Sequence, residues 1–468
     1  MPAVILKERQ ASITRGGAGS GAGSGAGGGG CGLGGAAGTG QGQPSGAGIA
    51  CEQASVAGSV SQRACVFCGA RVVLNPITDA FHIVHGPIGC ASYTWDIRGS
   101  MSSSGELYRH SFSTDMGETD VVFGGERKLA RAIDEAVAAH HPPLIFVYAT
   151  CIAGVIGDDV AAVCKAAEQR HQIRCIPVQA PGFSGHKAIG YRLAGDALMR
   201  LFGGQACPRE KAHGINFLGD FNLAGEQWII RNYLKELGIE VLTGITGDSR
   251  YETLMRAPQA ALNIVQCAGS MHNLARRMHD ELGIPWISVS FYGVEDTADS
   301  LLRLAEAYGG AQAAARARAL CHRERERLAP VLKRYRRRLG GRRAAIYVGG
   351  GFKAISLIRQ FRELGMETVM VGTQTGRPED YEVIRSIVSP DCVVLDDANP
   401  AELERFMIEG GADILVGGVK ERPLAYKLGV AFCDHNHERK HPLAGFVGVQ
   451  NFAEEINASM NSPVWSYV

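Results

Sequence analysis

Leu144-Ile145-Phe146-Val147-Tyr148-Ala149-Thr150-Cys151, continued by Ile152-Ala153-Gly154-Val155-Ile156-Gly157-Asp158-Asp159, is the stretch on which the fold turns. An apolar run without polar alternation reads as a strand buried on both faces, the signature of a parallel sheet covered by helices. The run stops at a small polar residue and a cysteine, and a Gly-containing segment then leads into a helix. Residues 215–218 (INFL), 261–265 (ALNIV), 287–291 (ISVSF), 344–348 (AAIYV) and 368–371 (TVMV) repeat the buried-strand pattern, separated by amphipathic segments. This alternation predicts an α/β chain built on parallel sheets. Several strands end in Gly, Cys or Asp, where open α/β sheets present groups to ligands.

The remainder of the 468 residues bounds the answer. With 46% hydrophobic and 20% charged residues there is material for about three domains. Forty-eight Lys plus Arg against forty-seven Asp plus Glu leave a formal charge of +1, which argues against a broad polyanion-binding surface and against nucleic acid as a partner. No apolar stretch reaches the roughly 18–20 residues a membrane helix needs, and residues 1–10 show no secretory pattern, so a soluble, cytoplasmic protein with no membrane partner is expected. Thirteen cysteines without a secretory signal make a disulfide framework improbable and leave free thiols or soft metal ligands.

Residues 16–49 are dominated by Gly with Ala and Ser, a composition that buries little apolar area against a large backbone entropy. The expected organisation is a flexible, disordered Gly-rich N-terminal arm at 1–62, with Cys31 and Cys51 as solvated thiols in or beside it. Three α/β units follow at 63–205, 206–340 and 341–468. Between residues 297 and 343 lies a long helical stretch, interrupted at Gly309-Gly310 and closed at Gly340-Gly341. Its run RYRRRLGGRR reads as a solvated helix face.

Cys65, Cys90 and Cys151 stand out by context. Cys90 closes His85-Gly86-Pro87-Ile88-Gly89-Cys90, where small residues let the backbone approach a ligand closely. Three thiolates at such positions suit iron–sulfur ligation. Their separations match no compact ferredoxin pattern, however, so spacing alone leaves buried structural cysteines as the alternative. Cys68 completes an isolated CxxC with no βαβ pattern around it, unlike a thioredoxin motif. Cys267 follows a strand and precedes Gly269-Ser270-Met271-His272. Residues 433–441 (CDHNHERKH) pack three imidazoles with two carboxylates and two cations, denser than packing alone requires. Val348-Gly349-Gly350-Gly351-Phe352-Lys353 opens a helix after a strand, where free N–H groups and an ammonium suit an anion. No acidic residue follows at the roughly 20-residue distance that a dinucleotide site uses. Lys420 is a second lysine beyond a strand end.

Together these motifs resemble the nitrogenase component 1 family, most closely its cofactor-assembly branch, over nearly all of residues 63–468. The resemblance rests on residues 82–90 (HIVHGPIGC), Trp95-Asp96-Ile97-Arg98-Gly99, Ser102-Ser103-Ser104-Gly105, residues 112–126 (FSTDMGETDVVFGGE), Thr150-Cys151 and Ile156-Gly157-Asp158-Asp159, in that order. It implies three Rossmann-like parallel-sheet domains surrounding a metal-cluster cleft. It also implies an α2β2 heterotetramer with a homologous N-type scaffold subunit. By position, Cys65, Cys90 and Cys151 would be this chain's ligands to a bridging [4Fe-4S] cluster. Cys267 would hold an iron-sulfur-carbide precursor of the iron-molybdenum cofactor, with His435 or Asn436 at its other end. Gly350, Gly351 and Lys353 would form pocket wall, and Lys420 would face the organic acid that caps the cofactor.

The family contains both scaffolds and reductases. After residues 181–185 (PGFSG) the reductases supply a histidine to the cofactor's reactive face, whereas this chain reads Gly190-Tyr191-Arg192, with His186 out of register. Lys187 replaces an uncharged amide. These differences favour a maturation scaffold with an oxidoreductase-family fold, not expected to reduce dinitrogen efficiently. Its expected partners are the ATP-dependent iron protein, a precursor-synthesising radical enzyme and the apo form of nitrogenase component 1, with molybdenum and homocitrate entering during maturation. His435 aligns with a reductase histidine, so a catalytic α subunit of a nitrogenase-like reductase is the alternative.

Overall fold

The computed structural model describes residues 11–17, 49–51, 64–94, 110–266 and 268–467. Fourteen strands among them form three sheets. The first contains β2 (Phe81–His85), β3 (Ser111–Ser113), β4 (Leu144–Ala149) and β5 (Arg174–Gln179), in the order β3-β2-β4-β5 and all parallel. The second contains β6 (Ile215–Leu218), β7 (Val241–Ile245), β8 (Leu262–Val265) and β9 (Trp286–Ser288), in the order β7-β6-β8-β9, again parallel. The third orders β1 (Ile13–Arg15), β12 (Val393–Asp396), β11 (Glu367–Thr373), β10 (Arg343–Val348), β13 (Ile414–Gly417) and β14 (Ala431–Asp434) across the sheet as β1-β12-β11-β10-β13-β14. Only β1 runs antiparallel to its neighbour in that sheet.

The six quoted apolar runs lie on β4, β6, β8, β9, β10 and β11. The run at 287–291 overshoots, because β9 ends at Ser288 and Ser290 turns to bond Ser300 and Ser356. The arm assigned to 1–62 is also not uniformly detached. Residues 13–15 pair with β12, and Ser12 Oγ donates to the Ala50 carbonyl, while Ile49 is buried against the third sheet's core. Most of the Gly-rich tract, with Cys31, lies outside the described residues.

One apolar core joins the first two sheets. Within it helix Val66–Leu74 crosses helix Lys187–Phe202 at backbone contact. A Cβ on Gly69 would overlap the Lys187 carbonyl, and one on Gly190 would overlap the Val66 carbonyl. This crossing sets Cys65 beside His186, with which it forms an isolated antiparallel bridge. The helical stretch resolves into Val294–Leu304, a π-helical segment Ala305–Gly309 and a helix Gly310–Leu339 about 45 Å long. Gly310 takes φ +68° at the junction. Its arginines pair with carboxylates of neighbouring elements, Arg323 with Glu236 and Arg325 with Glu295. Helix Gly445–Met460 contributes to the cores of both the second and third sheets, tying them together.

Candidate functional site

Three thiols meet at the carboxyl edge of the first sheet. Cys65 precedes helix Val66–Leu74, Cys90 lies in the short helix Ile88–Thr94, and Cys151 opens helix Cys151–Ile156 directly after β4. All three are half-buried. Gly182 lies between two of them, Cys151 and Cys65. Its N–H donates to Cys151 Sγ at 3.1 Å, and a Cβ at that position would stand 3.1 Å from Cys151 Sγ and 3.5 Å from Cys65 Sγ. Burial pushes the Cys90 thiol up, the Cys151 and Cys65 thiols push it further, and a hydrogen bond with Thr150 opposes them. Convergent soft donors on a half-open edge suit a cluster, whose positive charge would relieve this mutual resistance to ionisation. Among the described residues no three His, Cys, Asp or Glu group as they would around a single ion. The second CxxC cysteine, Cys68, is buried within its helix.

The motifs around the thiols hold this edge in place. His85 Nε2 meets Asp158 Oδ2 at 2.8 Å and His85 Nδ1 meets Thr114 Oγ1 at 3.1 Å, while Asp158 also accepts from Gly125 N–H at 3.1 Å. Burial keeps the imidazole below its ordinary pKa despite Asp158. The segments 112–126 and 156–159 are thereby clamped to the end of β2. Exposed apolar side chains surround the edge: Ile88 and Tyr93 on the Cys90 helix, Val155 on the Cys151 helix, Phe183 beside Gly182, and Val122 with Phe123, the last 83% exposed.

A cleft with about 700 Å³ of empty space, part of it open to solvent, lies where strands of the second and third sheets end. Gly219 after β6, Gln266 after β8, Gly349 and Gly350 after β10, Thr375 after β11 and Asn436 after β14 form its walls. Lys187 and Tyr191 enter from helix Lys187–Phe202. This is the strand-end placement predicted for ligand groups in α/β sheets.

The candidate residues divide here. Lys353 lines the cleft; its ammonium donates to the His435 carbonyl at 3.2 Å and sits 5.6 Å from the Tyr292 ring centroid. Gly350 lines it as well, whereas Gly351 is buried in helix packing, where a Cβ would collide with Asp380. Asn436 lines the cleft and its Oδ1 makes no hydrogen bond. His435 is fully buried behind the wall, with Tyr292 and Phe452 edge-on at 5.2 and 6.0 Å. Burial, then Lys353 and Arg439, hold its pKa well below the ordinary value. Lys420 is not among the cleft residues; it lies beside Tyr93, whose phenol it stabilises as an anion against a larger effect of burial. Cys267 lies outside the described residues, although Gln266 and Gly269 on either side of it line the cleft. His186 caps helix Lys187–Phe202, accepting from Ala188 N–H.

Sequence reasoning did not single out Arg439. It lines the cleft with a 3% exposed side chain, 3.2 Å from Glu226 Oε1. Burial opposes its charge, but Glu226, Tyr292 and Asp220 together hold its pKa above the ordinary value. Asp220 is buried beside Glu226 and is pushed up to about 7 by burial and then by that charge, while Gln266 Nε2 donates to it at 2.8 Å.

Residues 65–461 match the sequence model of one family, described as "Nitrogenase component 1 type Oxidoreductase". This chain belongs to the nitrogenase component 1 family. The protein "Nitrogenase iron-molybdenum cofactor biosynthesis protein NifE" of Clostridium pasteurianum is 65% identical over 423 residues, covering 90% of this chain and 92% of that protein. The protein of the same name from Methanosarcina barkeri is 51% identical over 430 residues, covering 90% and 93%. The solved structure "Nitrogenase Cp1 at pH 5" superposes with a TM-score of 0.84 at 30% identity, covering 90% of this chain and 92% of that one. The fold is thus the nitrogenase component 1 fold, as the motifs implied. The family match begins at Cys65 and ends just after helix Gly445–Met460, so the thiol edge and the cleft both fall within it and β1 precedes it.

Proposed function

We propose that this chain is the cofactor-assembly subunit of a scaffold for the iron-molybdenum cofactor. With a homologous N-type subunit it forms an α2β2 heterotetramer, and Cys65, Cys90 and Cys151 hold one side of a bridging [4Fe-4S] cluster. An iron-sulfur-carbide precursor, delivered by a radical enzyme, is the substrate. It binds in the cleft through Cys267, with Asn436 rather than His435 at the wall. Molybdenum and homocitrate are added with the iron protein and ATP, and the product passes to apo nitrogenase component 1.

The observation that carries this reading is the joint presence of a three-thiol edge and a cleft bearing Lys187, Lys353 and Arg439, in a chain 65% identical to a protein named for cofactor biosynthesis. The exposed apolar ring around the thiols supports a partner that closes the cluster from the other side. Fewer strong ligands at the precursor suit a protein that must release its product. A reductase is not favoured, because the cleft presents Tyr191 where a proton-relay imidazole would be needed and His435 is sealed behind its wall.

Cys90→Ala tests the division of labour. Co-purified with the partner and without oxygen, it should lose the iron of the bridging cluster and loosen subunit pairing. An unchanged cluster signal in that variant would defeat the assignment.

A further inference from the structure

We propose that Cys68 is a fourth thiolate that this chain itself supplies to the iron–sulfur cluster, closing its open corner until the partner subunit docks. The inference rests on the reading of Cys65, Cys90 and Cys151 as cluster ligands and goes beyond it by completing the set within one chain. Cys65 is the N-cap of helix Val66–Leu74 and Cys68 is the third residue of its first turn. Side chains at those two positions face one another, as the reciprocal contacts of a capping box show. Two cysteines separated by two residues are also a spacing with which iron–sulfur proteins grip a cluster. Tyr93, on the helix that carries Cys90, stands near both thiols: burial and then Cys68 raise its pKa, and Cys65 adds to them.

A second observation comes from Arg71, one turn further along the same helix. Its side chain is fully buried, its Nη2 donates to Ser111 Oγ, and its Nε and Nη1 make no hydrogen bond. Among the described residues no carboxylate pairs with it. Burial pulls its pKa down, and Tyr148 and then Cys68 act against that pull. Burial pushes the Tyr148 phenol up, so it keeps its proton and offers only a ring, 5.7 Å from the guanidinium carbon. His82 is brought down to about 3 by burial and then by Arg71, so it stays neutral. A buried cation without a counter-ion is costly, and Cys68 is the neighbour whose ionised form offsets it. A [4Fe-4S] core held by four thiolates is net negative, and Arg71 supplies positive charge beside it. On pairing, the partner's ligand replaces Cys68 at one iron. One iron–ligand bond forms as another breaks, and the released thiolate returns to Arg71, so no oxidant or reductant is required.

The test uses the full chain produced without its partner and loaded with ferrous iron and sulfide in the absence of oxygen. Iron is counted, and the dithionite-reduced cluster is followed by electron paramagnetic resonance. The parent should hold a cluster, and Cys68→Ser should lose iron severalfold with its circular dichroism unchanged. The same variant co-purified with the N-type partner should match the parent complex in iron and resonance. Cys392→Ser, which removes a buried thiol from the third sheet's core, should keep the cluster in both settings. Equal iron and an identical resonance in Cys68→Ser and parent chains would overturn the proposal, as would a parent chain that holds no cluster alone. Equal loss from the chain and from the complex would assign Cys68 to packing and overturn it too. If Cys90→Ala loses the cluster while Cys68→Ser keeps it, only this inference falls; a complex that keeps its cluster in Cys90→Ala removes the three-thiol reading instead.

Discussion

Arg439 and Glu226 meet at 3.2 Å across the boundary between two sheets, joining the loop after β14 to the first turn of helix Glu226–Leu237. Glu226 also accepts from Leu443 N–H at 3.3 Å and from Ala224 N–H at 2.8 Å, so one carboxylate fastens the loop that carries Asn436 to the second sheet's layer. Both side chains are almost fully buried. Removing one partner leaves the other charge uncompensated, which typically costs about 3–5 kcal/mol. Glu226→Gln should therefore lower the urea midpoint sharply, and a midpoint shift corresponding to under about 1 kcal/mol would show that the pair is not a structural link.

The thiol edge depends on Gly182 lacking a side chain. Gly182→Ala puts a methyl group 3.1 Å from Cys151 Sγ and 3.5 Å from Cys65 Sγ, inside the volume that a cluster's sulfur ligands need. Its expected signature is a severalfold loss of cluster iron with far-ultraviolet circular dichroism unchanged. Normal iron content would mean that the three thiols can spread without losing the cluster.

Gly190 carries a different burden, since a Cβ there overlaps the Val66 carbonyl and forces apart the two helices that position Cys65. Overpacking of this kind costs about 1–3 kcal/mol. Gly190→Ala should reduce both thermal stability and cluster content, unlike Gly182→Ala, which should affect the cluster alone. Equal melting temperatures for Gly190→Ala and parent would contradict the close crossing.

Glu421 should contribute a loss of stability as pH rises from about 4.5 to 7, set against the buried histidines His82 and His435, whose lowered pKa values act in the opposite sense over part of that interval. Glu421 is 2% exposed, accepts from Gly418 N–H at 2.8 Å, and is pushed up to about 7 by burial. A carboxyl raised on folding binds its proton more tightly in the folded state, so its contribution is complete at low pH and is lost as pH rises through that interval. Asp220 has the same sign. Glu421→Gln keeps an acceptor for Gly418 and should remove that component, so that stabilities from denaturation curves taken at several pH values move upward relative to the parent across the interval. An identical pH profile would remove Glu421 as a contributor.

How far these features were legible from the chain follows from the range of the interactions that make them. Runs such as LIFVY and AAIYV carry their burial in their own composition, so the strands and the α/β class could be read directly. Strand β2 (FHIVH) was not, because its histidines read as polar although His82 and His85 are fully buried, satisfied by Tyr148, Thr114 and Asp158 from distant segments. Strand β1 sits beside a Gly-rich tract and owes its order to β12, at the other end of the chain. Asn436 and His435 are neighbours in sequence, and only the turn after β14 sets one in the cleft wall and the other behind it. Arg439 lay within a motif already marked as dense in charge, but its role depends on Glu226, which no local pattern joins to it.

The central claim is that this chain completes a cofactor for another protein. Its direct test is to co-express the chain with its N-type partner and the precursor-making enzyme, purify without oxygen, and count molybdenum before and after incubation with iron protein, ATP, molybdate and homocitrate. The product is then offered to cofactor-free nitrogenase component 1. The account predicts iron-rich, molybdenum-poor protein that gains molybdenum and activates the recipient. Protein that arrives with molybdenum bound and reduces substrate by itself, without activating the recipient, would contradict it.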